Sequence, residues 1–386
     1  MGTAVGGSSD HQDADAGPET GLRARSLTLP GVLMQALAHM APAVGMLAFI
    51  PMITAFSGVT SPLAYLIAFL IVLTLGVSLV QLAKHLPAAG GYYTYVSRTV
   101  HPRAGFLAAW MFFLIEVLAP GAGLGFGGII LQETLKAEYG VAFPWWLFLI
   151  IATALIAGVS YFGVRIAVGV AVVLGILEVA IVGALALFVL TDPGPGGINL
   201  SPFNPGNSIS TGGLSLAVVF AIFAFAGFES VAPLAEETKN PRRVLPRAIM
   251  ASLIITGTFY VFTGWAFLVG WGTEDVAGFV GSAENPIFIL ARQQWGAAWF
   301  IVFLVLINSI LAIGLAASNA ATRVMYATAR SGALPSPLAK VHPTHQTPVN
   351  AIFLQAAVTL VFGLGLGFAV GPLELFFTVG LAATLS

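Results

Sequence analysis

Four side chains able to carry or exchange charge stand inside otherwise apolar stretches of this 386-residue chain: His39, Glu116, Glu178 and Glu229. An ionisable group at bilayer depth costs about 2.5 to 3.5 kcal/mol on insertion scales. Each therefore needs a proton, a cation partner or unwound backbone N–H groups. Three carboxylates near the centres of three stretches, with no Lys or Arg beside them, suit a site that binds a cation or passes a proton. The plainer alternative for each carboxylate is a cap on broken-helix N–H groups, and for His39 a structural hydrogen bond. The other histidines (His11, His85, His101, His342, His345) lie in the tail or loops, and no HExxH spacing occurs. With no cysteine there is no thiolate site or thiol nucleophile, and neither metal nor cofactor is expected.

The stretches that must position these groups make up most of the chain. Hydrophobic residues are 58% of the total and charged residues 8%, whereas a soluble domain carries about 25% charged residues. The partner of most of the surface is therefore the lipid bilayer. The apolar runs are about 20 residues long, the length of a helical crossing rather than of a barrel strand. They fall at about 31–56, 62–84, 104–131, 144–163, 167–191, 214–236, 247–271, 297–322 and 350–370. A tenth begins near Leu373 and reaches about two-thirds of a crossing at Ser386, so the expected natural gene encodes more helix. A net charge of −1 without a basic run excludes nucleic acid as a partner.

Residues 1–28 are polar, with neither a basic start nor an apolar core, and read as a disordered tail rather than a signal peptide. When the spans alternate, all 15 Lys and Arg residues except Lys136 and Arg292 fall on the side of that tail. This asymmetry makes the N-terminus cytoplasmic in a multi-pass protein of the cell membrane, expected to be a bacterial plasma membrane.

Two spans are interrupted. The first carries Pro42 and Gly45 near mid-depth, in QALAHMAPAVG, and the sixth carries Gly227 and then Pro233, in FAFAGFESVAP. An odd number of crossings separates them, so they run in opposite directions. Broken helices at matching positions of two antiparallel halves point to an inverted-repeat secondary transporter with its site at the midplane. The halves are 29–191 and 214–386, joined by an extracytoplasmic loop at 192–213. The glycine string Gly121–Gly128 has no preceding strand, so it reads as close helix packing, as does GLGLG in the ninth span.

The stretch FAFAGFESVAPLAEETKNPRRVLPRAI, Phe223 to Ile249, resembles the sixth-helix signature of the amino acid/polyamine/organocation superfamily of permeases. LPAAGGYYTYVSRTVHPRAGFLAAW and SNAATRVMYATARSGALP are similar to its second-to-third-helix loop and eighth-helix end. The resemblance implies an all-α membrane protein with a LeuT-like fold of two inverted five-helix repeats, the second incomplete here in helix 10. Two departures matter: MAPAVG stands where many members have a Gly-Ser-Gly break, and Glu178 falls where proton-coupled cationic amino acid relatives carry a lysine.

Helix direction then assigns the site. Beyond the first break, the N–H groups of Ala43, Val44 and Gly45 should face a substrate carboxylate. At the sixth, the carbonyls of Phe223, Ala224 and Phe225 should accept from its ammonium group, with Gly227 allowing close approach and Phe223 as lid. A small or apolar amino acid is the expected substrate, an amine or polyamine the alternative. Coupling is assigned to a proton through Glu178, with Glu229, Glu116 and His39 as gating groups. The rival is Na+ held by span-1 carbonyls and Ser318. A membrane enzyme and a channel are disfavoured, the first for want of a nucleophile with its base, the second for want of a continuous polar lining.

Overall fold

The computed structural model describes Leu22, residues 26–88 and residues 90–385, without the side chains of 113, 164–168, 170, 171 and 383–385. The expected tail thus lies outside the described residues except for Leu22 and residues 26–28. The first half comprises α1 (Leu29–Met40), α2 (Pro42–Leu47), α3 (Phe49–Ser57), α4 (Ser61–His85), α5 (Tyr92–Thr99), α6 (Pro102–Tyr139), α7 (Trp145–Phe162) and α8 (Val164–Val189). The second comprises α9 (Thr211–Phe223), a 3-10 segment (Phe228–Glu237), α10 (Pro241–Trp271), α11 (Val276–Gly281), α12 (Pro286–Trp295), α13 (Phe300–Arg330), α14 (Val349–Val370) and α15 (Pro372–Leu385). Among the described residues nine stretches are long and apolar enough to cross a membrane.

Both interruptions are present, with local causes. Proline clashes with a preceding residue in the right-handed helical region; Ala41, before Pro42, takes φ 46° and ψ 74°, ending α1 and starting α2. The hinge is therefore Ala41, and Gly45 sits inside α2, where a Cβ would overlap the Tyr260 ring. In the sixth span α9 ends at Phe223, and Gly227 has φ 114°, a conformation that strains any residue with a Cβ. Pro233 lies within the 3-10 segment and makes no second break.

The glycine strings do pack closely. A Cβ on Gly121 would lie 2.9 Å from the Thr359 carbonyl, and one on Gly363 would lie 2.7 Å from Leu149. Gly123 and Gly365 meet nothing and do not share that role.

At the end of the molecule where α1 begins, the last residues of the expected tail are ordered. The N–H groups of Ser26 and Leu27 donate to the Glu237 carbonyl at 2.8 and 2.9 Å, and Lys239 N–H donates to Leu27 at 2.8 Å. Beside them Arg323 of α13, fully buried, donates from Nε to Glu237 Oε1 at 2.9 Å. Removing one partner of a buried ion pair strands the other charge and costs about 3 to 5 kcal/mol, whereas replacing both with apolar or neutral groups is often neutral. Arg323→Met should therefore lower the melting temperature of the purified protein strongly, and adding Glu237→Gln should recover more than half of the loss.

Candidate functional site

Two side chains hold the start of α2. The Ala43 N–H donates to Glu178 Oε1 at 2.5 Å, and the Ser309 hydroxyl donates to the same oxygen at 2.6 Å. The Val44 N–H reaches Ser309 Oγ at 3.4 Å, and the Gly45 N–H closes an intrahelical bond to Ala41. The N–H groups expected to meet a substrate carboxylate are thus already bonded, one by a carboxylate, one by a hydroxyl and one by the helix's own backbone. Glu178, 1% exposed, acts here as a cap. Its hydroxyl neighbour is Ser309, and Ser318 lies further along α13, in a separate pocket with Thr322 and Gln355.

The carbonyls at the breaks are also claimed. The Tyr260 hydroxyl, from α10, lies 2.9 Å from both the Met40 and the Ala224 carbonyls. The Phe223 carbonyl accepts from the Ala226 N–H at 2.9 Å. The Phe225 ring turns away to stack on Phe69 and meet Tyr260 edge-on. Tyr65 donates to the Gly45 carbonyl, and Asn285 to that of Leu47, each at 2.5 Å. Sequence reasoning missed these partners. The available signal was that a tyrosine inside an apolar span must find an acceptor for its hydroxyl.

Between the breaks lies a cavity of about 80 Å³, room for several waters by the usual measure of about 10 to 15 Å³ each. His39, Glu116, Glu229, Val44, Gly45, Phe223, Ala224 and Gly227 all line it; Ala43, Phe225, Glu178 and Ser318 do not. His39 Nε2 stands 3.7 Å from Glu116 Oε2, and neither that oxygen nor His39 Nδ1 has a hydrogen-bond partner among the described residues. Both oxygens of Glu229 accept from the Gly227 N–H, at 3.1 and 3.0 Å. The lining also includes aromatic rings: Phe49 meets Phe223 edge-on at 5.3 Å and Phe376 at 5.8 Å. The site therefore offers two carboxylates, an imidazole and phenyl rings in one cavity, which suits a cation with an apolar body. A larger cleft of about 500 Å³ between α4, α6 and α9 shares Glu116 and Glu229.

Residues 31–386 match the family model for amino acid permeases. The chain belongs to the amino acid permease family. It is 29% identical over 354 residues to the low-affinity putrescine importer PlaP of Escherichia coli K12, covering 87% of this chain and 74% of that protein. It is 28% identical over 333 residues to the branched-chain amino acid permease BcaP of Bacillus subtilis, covering 81% and 68%. A solved Na+-coupled sialic acid symporter, in a substrate-bound outward-open state, superposes with a TM-score of 0.61 at 14% identity, covering 92% of this chain and 79% of that one. The permease thus has a LeuT-like fold with broken first and sixth spans, and it is a multi-pass membrane protein.

Two predictions follow from the crossing of the breaks. A Cβ on Gly227 would sit 2.7 Å from His39 Cγ, in a strained conformation; Gly227→Leu should insert in the membrane and lose ligand binding, as read by thermal shift, and unchanged affinity would remove the breaks from the site. Tyr260→Phe removes the one hydroxyl proton shared by the Met40 and Ala224 carbonyls, at about 1 to 3 kcal/mol, and should lower thermal stability accordingly with no change in oligomer size on gel filtration.

Proposed function

We propose that this permease is a secondary active transporter that moves a small amine across the cell membrane by alternating access, with the ammonium group held between Glu116 and Glu229 and the apolar body against Phe49, Phe223 and Phe376. One observation carries the reading: the three N–H groups of α2 that would otherwise receive a substrate carboxylate are already bonded, Ala43 to Glu178, Val44 to Ser309 and Gly45 to Ala41, while two further carboxylates line the cavity. An amino acid would have to displace Glu178; an amine would not. Likeness to a putrescine importer agrees with this. Likeness to a branched-chain amino acid permease supports a second reading, a small or apolar amino acid held at the same breaks.

The coupling ion we infer is a proton, with the N-terminus cytoplasmic and no catalytic step. The exchanging pair is His39 and Glu116, because they line the cavity with unpartnered polar atoms, whereas Glu178, whose Oε2 is also unpartnered, lies outside it with Oε1 bonded twice. A sodium ion at Glu178 and Ser309 is the rival.

Counterflow in proteoliposomes decides the substrate. Liposomes loaded with unlabelled 1,4-diaminobutane should accumulate the labelled compound, and leucine-loaded liposomes should show little leucine exchange; the reverse result favours the amino acid reading. For coupling, uptake without sodium should follow an imposed inside-alkaline gradient in wild type and in Glu178→Gln. Glu116→Gln should lose that response. If no variant accumulates substrate until sodium is added, the proton assignment falls.

A further inference from the structure

Away from the breaks, charge of one sign collects where α4 ends and α10 begins. The two helices run antiparallel in close contact: the Tyr65 and Tyr260 rings are 5.3 Å apart, a Cβ on Gly257 would overlap Phe69, and one on Gly76 would overlap Leu253. Carried on by about two turns, that register sets Lys84, in the last turn of α4, beside the first turn of α10. Arg242 and Arg243 stand in that turn, Arg247 follows one turn later, and Lys239 precedes it. All five cations are exposed, and none has an ion pair among the described residues.

Folding by itself gives no reason for this arrangement. Arg243 and Arg247 are four residues apart on one helix face, a spacing at which like charges repel. Cations are also the unfavourable sign at the start of a helix. The carboxylates described nearest to them are used elsewhere: Glu236 binds Arg330 at 2.6 Å, and Glu237 binds Arg323 at 2.9 Å. An anion from outside these residues would remove the repulsion.

Depth identifies the anion. Seven residues before Lys84, Val77 is 50% exposed, and seven residues after Arg247, Ile254 is 50% exposed. Exposed aliphatic side chains within a spanning helix face acyl chains, and seven helical residues rise about 10 Å. The apolar core of a bilayer is about 30 Å thick, and the headgroup layers add about 5 to 8 Å on each side. The cations therefore stand at phosphate level, and the guanidinium fork matches two oxygens of a phosphate. We propose that the adjoining ends of α4 and α10 form a binding surface for the phosphate groups of anionic phospholipids. A lipid held there would steady the start of α10, directly after the sixth-span segment Phe228–Glu237. The surface lies apart from the central cavity, and the proposal does not depend on which solute the permease carries.

The test melts the purified full chain in detergent micelles that contain either dioleoylphosphatidylglycerol or dioleoylphosphatidylcholine. Phosphatidylglycerol should raise the wild-type melting temperature by about 2 °C or more over phosphatidylcholine. The triple variant Arg242→Gln, Arg243→Gln, Arg247→Gln should lose that rise. A charge-matched triple, Arg98→Gln, Arg103→Gln, Lys340→Gln, at exposed positions of the same end, should keep it. If the first triple does not fold, Arg247→Gln alone should at least halve the rise, and a full rise in that variant overturns the proposal. No rise in wild type overturns it, and so does equal loss in both triples, which reports net charge rather than a surface at α4 and α10. A rise reproduced by sodium phosphate at matched ionic strength assigns a soluble anion instead of a lipid. A rise seen only after Asp10, Asp13, Asp15 and Glu19 are changed to Asn or Gln assigns the arginines to the tail; either result overturns the proposal.

Discussion

Everything about the centre of this permease depends on six residues, Pro42–Leu47, whose backbone cannot be completed by its own helix. At bilayer depth an unpaired N–H or carbonyl costs several kcal/mol, and no bulk water is present to relieve it. The fold answers from four directions. Glu178 and Ser309 take the N–H groups at one end of α2, Tyr65 and Asn285 the carbonyls at the other. Because the donors and acceptors come from α4, α8, α13 and the residue before α12, the placement of those elements is fixed by the break they serve.

The same constraint shapes what the cavity can hold. A carboxylate spent on capping α2 is unavailable to a substrate ammonium, but it also removes the helix end as a place for a substrate anion. What remains lining the cavity is Glu116, Glu229 and His39 together with phenyl rings. Selectivity at such a site comes from which polar groups have been used up by the fold, as much as from those left over.

The spans, their approximate ends and the two interruptions were legible in the sequence because length, hydropathy, proline and glycine act locally. The common depth of Glu116, Glu178 and Glu229 was legible too, but depth alone does not decide that Glu116 and Glu229 share a cavity with His39 while Glu178 stands apart at α2. The partners of the breaks were not. Ser309 is 131 residues from Glu178, and Tyr260 is 220 from Met40; a hydroxyl in an apolar helix has no periodic signature, and only packing decides which acceptor it meets. The α13 hydroxyl that meets Glu178 is Ser309, nine positions before the Ser318 that the sequence brought forward. The carbonyls of Phe223 and Ala224 were likewise expected to be open because a sequence shows that a helix is broken, not what fills the gap.

The contact between the tail and the sixth span has a mechanical meaning. Leu27 is hydrogen-bonded to Glu237, the last residue of the 3-10 segment, and to Lys239 just beyond it, and His39 lies against Gly227 at that segment's other end. The half-helix α1 and Phe228–Glu237 are therefore pinned at top and bottom, like two rungs of one ladder. Separating α1 from the sixth span would break hydrogen bonds at one end and the His39–Gly227 contact at the other, and Glu237 is tied in turn to α13 through Arg323.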